Sequence, residues 1–191
     1  GTRLVWFGEA SMAGVRGKHS WVLGAAVQQD RYRNDPVPGV DFTFTAPGVF
    51  AQDDIRFNEI LSASVSARLD VHNEYGVLAT PRLSLLGRPG DGWIVRASTG
   101  LGVFAPTPLT EETEEVGFSR LRMPLSLEVE RAWASSLDVT RLLGPVEVTT
   151  TAFSSRVARP LTPVDVGDDS FALISVDDPS RVWGAEAIVR Y

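Results

Sequence analysis

The residues with the capacity for chemistry fall into two groups. One is the run Thr110-Glu111-Glu112-Thr113-Glu114-Glu115, where four carboxylates crowd six positions. Carboxylate oxygens suit hard cations, so the run has the means to attract a metal ion or a ferric complex, and equally the character of a solvated acidic loop. The other is a mixed set: Arg68, Asp70, His72, Arg82, Arg96, Glu128, Glu130 and Glu186. Its members fall on the polar positions of segments that alternate, which sets them on one side of extended chain as a polar wall able to grip a partner or line a solute path. A hydrolase would need a base, and the histidines are His19 and His72. Asp70 and His72 share a strand face about 7 Å apart, too far for a direct hydrogen bond without a rotamer reaching across. No Gly-x-Ser-x-Gly elbow accompanies them. Gly100-x-Gly102 lacks the third glycine of a dinucleotide fingerprint and is expected to let aromatic neighbours pack on a strand. No catalytic group, cofactor or resident metal is expected.

Composition narrows the classes that could carry these groups. The chain has 191 residues, room for one domain by length, and no cysteine, which excludes disulfide scaffolds, thiolate metal sites and Cys nucleophiles. A net charge of −6 argues against a nucleic-acid footprint. Charges interrupt every apolar run well before the roughly 18 residues a membrane helix needs. No basic stretch followed by an apolar one precedes the first strand-like run, so no signal peptide is read.

The elements that must position the polar set are strands. From Leu61 to His72, Leu61, Ala63, Val65, Ala67, Leu69 and Val71 alternate without a break with Ser62, Ser64, Ser66, Arg68, Asp70 and His72. A period of two defines a strand with one dry and one wet face, and a helix of the same residues would bury Arg68 or Asp70. Weaker versions run over 21–30, 79–86, 93–102, 123–130 and 183–191, and vaguer ones over 4–15, 48–57, 146–157 and 170–176, which makes about ten strands and no helix. Tight turns are read at Gly17-Lys18-His19, Phe57-Asn58-Glu59, Arg88 to Gly92, Leu143-Gly144-Pro145 and Asp177-Asp178-Pro179-Ser180. Longer connections are read at 34–47, 105–122 and 159–169, and a short one at 73–76.

Loops sorted by end, with short turns on one side and mostly long ones on the other, are a property of transmembrane β-barrels. The dry faces are Leu, Val and Ala with Trp21, Trp93 and Trp183 at their ends, where an aromatic girdle belongs. The expectation is an all-β, antiparallel up-and-down barrel with its apolar face outward. An arginine at Val65 would then face lipid, and one at Ser66 the lumen.

Several pieces resemble one family. Arg96-Ala97-Ser98-Thr99-Gly100-Leu101-Gly102-Val103-Phe104-Ala105-Pro106-Thr107 is similar to the mid-barrel strand of TonB-dependent receptors, with Val103-Phe104 standing where Phe-Arg is usual. Phe50-Ala51-Gln52-Asp53, Arg68-Leu69-Asp70, Tyr75-Gly76, Thr80-Pro81-Arg82, Thr151-Ala152-Phe153 and Gly184-Ala185-Glu186 resemble further motifs of that family in order. The resemblance implies a barrel of about 22 strands around a plug, of which residues 1–191 would form a partial barrel domain with no plug, truncated at Tyr191. It further implies an outer-membrane receptor of a Gram-negative bacterium, surrounded by outer-membrane lipid and driven through its own plug by the TonB energy-coupling system. Its ligand would be a scarce small molecule or glycan, in the class of ferric siderophores, cobalamin or glycans, with no nucleic-acid partner. The alternative is a complete ten-stranded barrel acting as an adhesin, a pore or a hydrolase, and a soluble β-sandwich would require the Leu61 to Val71 face to be buried in protein.

Overall fold

The computed structural model describes residues 1–34, 39–109, 120–121, 127–168 and 170–191. Eleven strands are present among them: β1 (Thr2–Arg16), β2 (His19–Arg33), β3 (Phe42–Arg56), β4 (Leu61–His72), β5 (Gly76–Gly90), β6 (Trp93–Phe104), β7 (Glu130–Leu143), β8 (Val146–Ala158), β9 (Leu161–Gly167), β10 (Ser170–Ser175) and β11 (Ser180–Arg190). Nine form one antiparallel sheet in the order β1-β2-β3-β4-β5-β6-β7-β8-β11, and β9 pairs with β10 in a separate hairpin. The meander is the all-β, up-and-down arrangement that the alternation predicts.

Several expectations change, among them the connection read at 159–169, which holds β9. β7 was not anticipated: its outward row of Arg131, Trp133, Ser135, Leu137 and Val139 is interrupted by Ser135, while its inward row contains Ala132 and Ala134, so the contrast between faces is diluted. Of the strand expected over 123–130, residues 122–126 lie outside the described residues and 127–129 are not in a strand. The turn at Asp177 to Ser180 also belongs to the other end of the sheet, where it returns the β9–β10 hairpin to the wall.

At one end the turns are tight. Gly17 and Gly144 take φ of 61° and 62° at the first position of two-residue loops, which a type II′ hairpin demands and a side chain resists. Asn58 Oδ1 accepts from the amides of Ile60 and Leu61 at 2.9 and 2.8 Å and closes the β3–β4 turn. The other end carries the segments between β2 and β3, between β6 and β7, and the β9–β10 hairpin.

Register then fixes the faces. Val65 stands between Asp53 and Leu83, Leu69 between Val49 and Ala79, and Leu137 between Ala97 and Ala152, all on one side. That side is uncovered: Met12, Val49, Val65, Leu69, Leu83 and Val189 are each more than 40% exposed. Among the described residues the buried apolar ones are few, namely Ala26, Val40, Ala63, Leu78, Pro106, Leu121 and Leu173, and they do not make a dry core beneath the sheet. A monomer dissolved in water rarely exposes an apolar surface of this extent. The five tryptophans sort onto this outer face in two belts. Trp21 and Trp93 lie toward the tight turns, and Trp6, Trp133 and Trp183 toward the loops. The indole N–H of Trp6 bonds Gln29 at 3.1 Å, and Arg141 lies 4.8 Å over the Trp93 ring, so both belts meet polar groups.

Candidate functional site

On the inner face, near the loop end, β1 to β6 converge on a cavity of about 540 Å³, and lining shared from Arg3 on β1 to Phe104 on β6 shows that the sheet curls around this side. Two ion pairs build its floor. Arg3 donates from Nε to Asp30 Oδ1 at 3.0 Å and from Nη2 to Oδ2 at 2.6 Å, across the β1–β2 ladder. Arg68 donates from Nε to Asp70 Oδ2 and from Nη2 to Oδ1, both at 2.7 Å, between residues two apart on β4. A planar guanidinium meeting a carboxylate by two parallel bonds is fixed in direction as well as in charge.

The neighbouring strand leaves room for the second fork. Gly48 on β3 pairs with Asp70, and a Cβ there would lie 2.0 Å from Asp70 Oδ1. Two residues on, Phe50 carries Arg68 over its ring at 5.9 Å, and the same ring lies across Gly24 of β2, where a Cβ would meet it at 2.3 Å. The aromatics that strand glycines accommodate are therefore at Gly14 under Trp21, at Gly24, and at Gly184 under Phe153. Gly100 instead makes way for Arg82, its partner in register, and Gly102 faces Ala132, which corrects the expectation for the Gly100-x-Gly102 pair.

Above the forks is an aromatic shelf. Phe42 and Phe44 stack at 4.7 Å, Phe44 meets His72 edge-on at 5.0 Å, and His72 and Tyr75 lie 4.9 Å apart. His72 is buried, and its Nδ1 accepts from the amides of Glu74 and Tyr75 at 3.2 and 3.3 Å, which assigns that ring nitrogen to closing the β4–β5 turn. Asp70 is held by Arg68, so Asp70 and His72 do not form a base and its orienting carboxylate.

Tyr75 Oη donates to the carbonyl of Pro106, buried in the segment after β6, at 2.6 Å. The Tyr-Gly and Ala-Pro-Thr motifs, 31 residues apart, are thus one tether. Burial, and then the Glu74 carboxylate, push the Tyr75 phenol up to about 12. A phenol raised in the folded state from about 10 gives stabilisation that is complete below pH 10 and lost as pH rises through about 12. Absorbance at 295 nm is expected to show one of the three tyrosines ionising last, and Tyr75→Phe to remove that step. At neutral pH the same variant is expected to speed protease cleavage within 105–109 by roughly fivefold, the effect of losing a hydrogen bond of about 1 kcal/mol.

The other expected residues are distributed along the wall. Arg82 faces inward between Ser66 and Gly100, and Arg96 faces inward between Leu86 and Asp138. Glu186 stands opposite Thr151. Glu128 precedes β7 and pairs with Arg159, while Glu130 Oε1 accepts from the amide of Leu161. Both glutamates anchor the approach to the β9–β10 hairpin at the loop rim, away from the Arg68–Asp70 fork. Glu111, Glu112, Glu114 and Glu115 lie outside the described residues. Of the expected set, the structure brings Arg68, Asp70 and His72 together. Sequence reading missed Arg3, Asp30 and Phe44, since they reach the cavity through pairing between strands and no spacing within one strand signals that.

An antiparallel wall with its apolar face outward, tryptophan belts at both rims and a polar inner face defines the class: a transmembrane-type β-barrel wall. A family model described as TonB dependent receptor-like, beta-barrel matches residues 4–191, and the chain belongs to that family. Among curated proteins no sequence matches it. Of the solved structures similar to it, the siderophore receptor PirA from Pseudomonas aeruginosa aligns with a TM-score of 0.79 at 15% identity, over 97% of this chain and 36% of that one. A mutant of the ferric enterobactin receptor PfeA from the same organism gives 0.73 at 17%, over 97% and 32%. The copper transporter OprC gives 0.78 at 12%, over 98% and 34%. The chain therefore spans about a third of the length of the solved structures it matches.

Proposed function

We propose that this chain is barrel wall of an outer-membrane receptor that captures a scarce, chelated solute at its loop end and releases it inward through a plug driven by the TonB system. The ferric siderophore class is the preferred cargo, ahead of cobalamin or a glycan. One observation carries the reading: the cavity at the loop mouth sets Phe44 and His72, backed by Phe42 and Tyr75, beside two rigid guanidinium–carboxylate forks. Aromatic faces suit planar chelating rings, and the Arg68 guanidinium, oriented by Asp70 through two of its five N–H groups, has further donors for the oxygens of a chelate. The siderophore and ferric enterobactin receptors among the similar structures support the same class. The wall does no covalent chemistry in this reading; it satisfies its own backbone in lipid, presents loops and houses the plug. The residues 1–191 act as part of a barrel domain, and the remaining inner-face charges, Arg82, Arg96 and Glu186, face that plug.

The test is uptake of radioactive iron by iron-starved cells given a panel of ferric chelates, with and without the gene. Deletion is expected to abolish accumulation of one chelate while leaving the others intact, and Phe44→Ala in the complemented strain to weaken capture of that chelate about tenfold, from losing an aromatic contact of about 1 to 1.5 kcal/mol. Unchanged uptake of every chelate, together with altered diffusion of small neutral solutes, would establish a pore instead.

A further inference from the structure

Near the tight turns the outer face carries a cluster of charged side chains set into its apolar surface. Arg16 ends β1, His19 begins β2, and Asp53 stands on β3 between Trp21 and Val65 in register. Alternation turns all three outward. His19 Nδ1 lies 2.6 Å from Asp53 Oδ2, while Asp53 Oδ1 is packed against the wall with no hydrogen-bond partner among the described residues. The carboxylate as a whole keeps 34% of its side-chain surface open. A carboxylate beside Trp21, Ile55 and Val65 with one oxygen unmet is costly, and the described residues do not supply the missing donor. Arg16, His19, Trp21 and Asp53 line one groove of about 810 Å³ whose floor is Leu23, Ala51 and Val65.

Depth places this groove at headgroup level. Strand β3 has 15 residues and Asp53 is three from its end at Arg56. At about 3.3 Å per residue and a tilt of about 40°, such a strand rises through about 38 Å, against an apolar band of about 25 Å. Asp53 then lies about 8 Å from the end of the wall, at the edge of the band on the side of the tight turns.

We propose that this groove binds the headgroup of a phospholipid bearing a primary ammonium, of the phosphatidylethanolamine type, in the leaflet at the tight-turn end. Arg16 donates to the phosphate, and His19 holds the Asp53 carboxylate toward the groove. The ammonium supplies the donor that Asp53 lacks, with a small rotation about χ2 bringing Oδ1 to share it. The acyl chain lies along Leu23, Ala51 and Val65. A choline headgroup has no N–H to give and a glycerol headgroup has no positive charge, so the pairing selects the primary ammonium.

The proposal rests on the outer face meeting lipid, and the experiment separates the two. The protein is extracted from membranes, equilibrated with nanodiscs of equal parts phosphatidylethanolamine, phosphatidylcholine and phosphatidylglycerol, and the retained lipid is counted by native mass spectrometry. Ethanolamine lipid is expected to be retained roughly tenfold over choline lipid, the ratio one charge-assisted hydrogen bond confers. Asp53→Asn is expected to bring that ratio near one, and Arg16→Gln to lower retention of all three lipids without changing it. Should the variants fail to assemble, comparing ethanolamine lipid with its N,N-dimethyl and N,N,N-trimethyl forms on the unaltered protein decides the matter, since retention must fall with each lost N–H. A membrane-embedded protein without ethanolamine preference, or with a preference that Asp53→Asn preserves, overturns the site alone. A protein recovered in the soluble fraction overturns the reading of the outer face.

Discussion

Leu69→Arg is expected to abolish accumulation of folded protein in the membrane, whereas Ser66→Arg, three residues earlier on the same strand, is expected to be tolerated. Leu69 is 48% exposed on the outer face, in a row that runs through Ala25, Val49 and Ala79, so no polar partner is within that row. A cation at the middle of the apolar band costs about 2 to 4 kcal/mol, a large share of a marginal stability. Ser66 points inward between Gln52 and Arg82, where an added guanidinium stays hydrated. Val65→Arg is expected to be milder than Leu69→Arg despite the identical facing, since register sets Asp53 beside position 65. Heat-modifiable mobility on gels of membrane fractions measures all three; equal yields for Leu69→Arg and Ser66→Arg would sink the assignment of faces.

Gly48→Ala is expected to destabilise the wall by about 1 to 3 kcal/mol, the range for forcing a group into occupied space. Its methyl would occupy the place of Asp70 Oδ1, and that oxygen cannot yield freely because the Arg68 fork holds it at 2.7 Å. Displacing the carboxylate leaves Arg68 over the Phe50 ring with its charge unmet, so the cost includes an ion pair as well as a clash. The double variant Gly48→Ala with Asp70→Ala is expected to be less destabilised than the sum of the two single changes by 1 kcal/mol or more, as for residues in direct contact. Denaturant midpoints of the four proteins give the coupling directly, and strict additivity would show that Gly48 serves some purpose other than clearance for Asp70.

How far the sequence reveals this arrangement depends on whether the information lies within one strand or between strands. β4 is legible residue by residue because a dry face and a polar face alternate without exception from Leu61 to His72. Its inward fork follows from that alternation, since Arg68 and Asp70 are two positions apart. β7 is illegible for the opposite reason: Ser135 sits outward, bonded to Thr99 at 2.8 Å, and small residues occupy its inward face. The Arg3–Asp30 fork spans 27 residues and exists only because the Gly17 turn sets the β1–β2 register, which hydropathy does not encode. The family motifs fared better at long range. Tyr75-Gly76 and Ala105-Pro106-Thr107 prove to be two ends of one hydrogen bond.

The β9–β10 hairpin has its own ladder, and it is held by the segment that leads into β7: Glu128 to Arg159, the Glu128 amide to Ser175 Oγ, Glu130 to the amide of Leu161, and a bridge between Leu121 and Phe171. A structure attached this way can be exchanged as a cassette. New sequence between Arg159 and Ser180 would change the surface presented at the loop end, while the ladder beneath keeps every one of its pairs, so that end can be rewritten without refolding the wall.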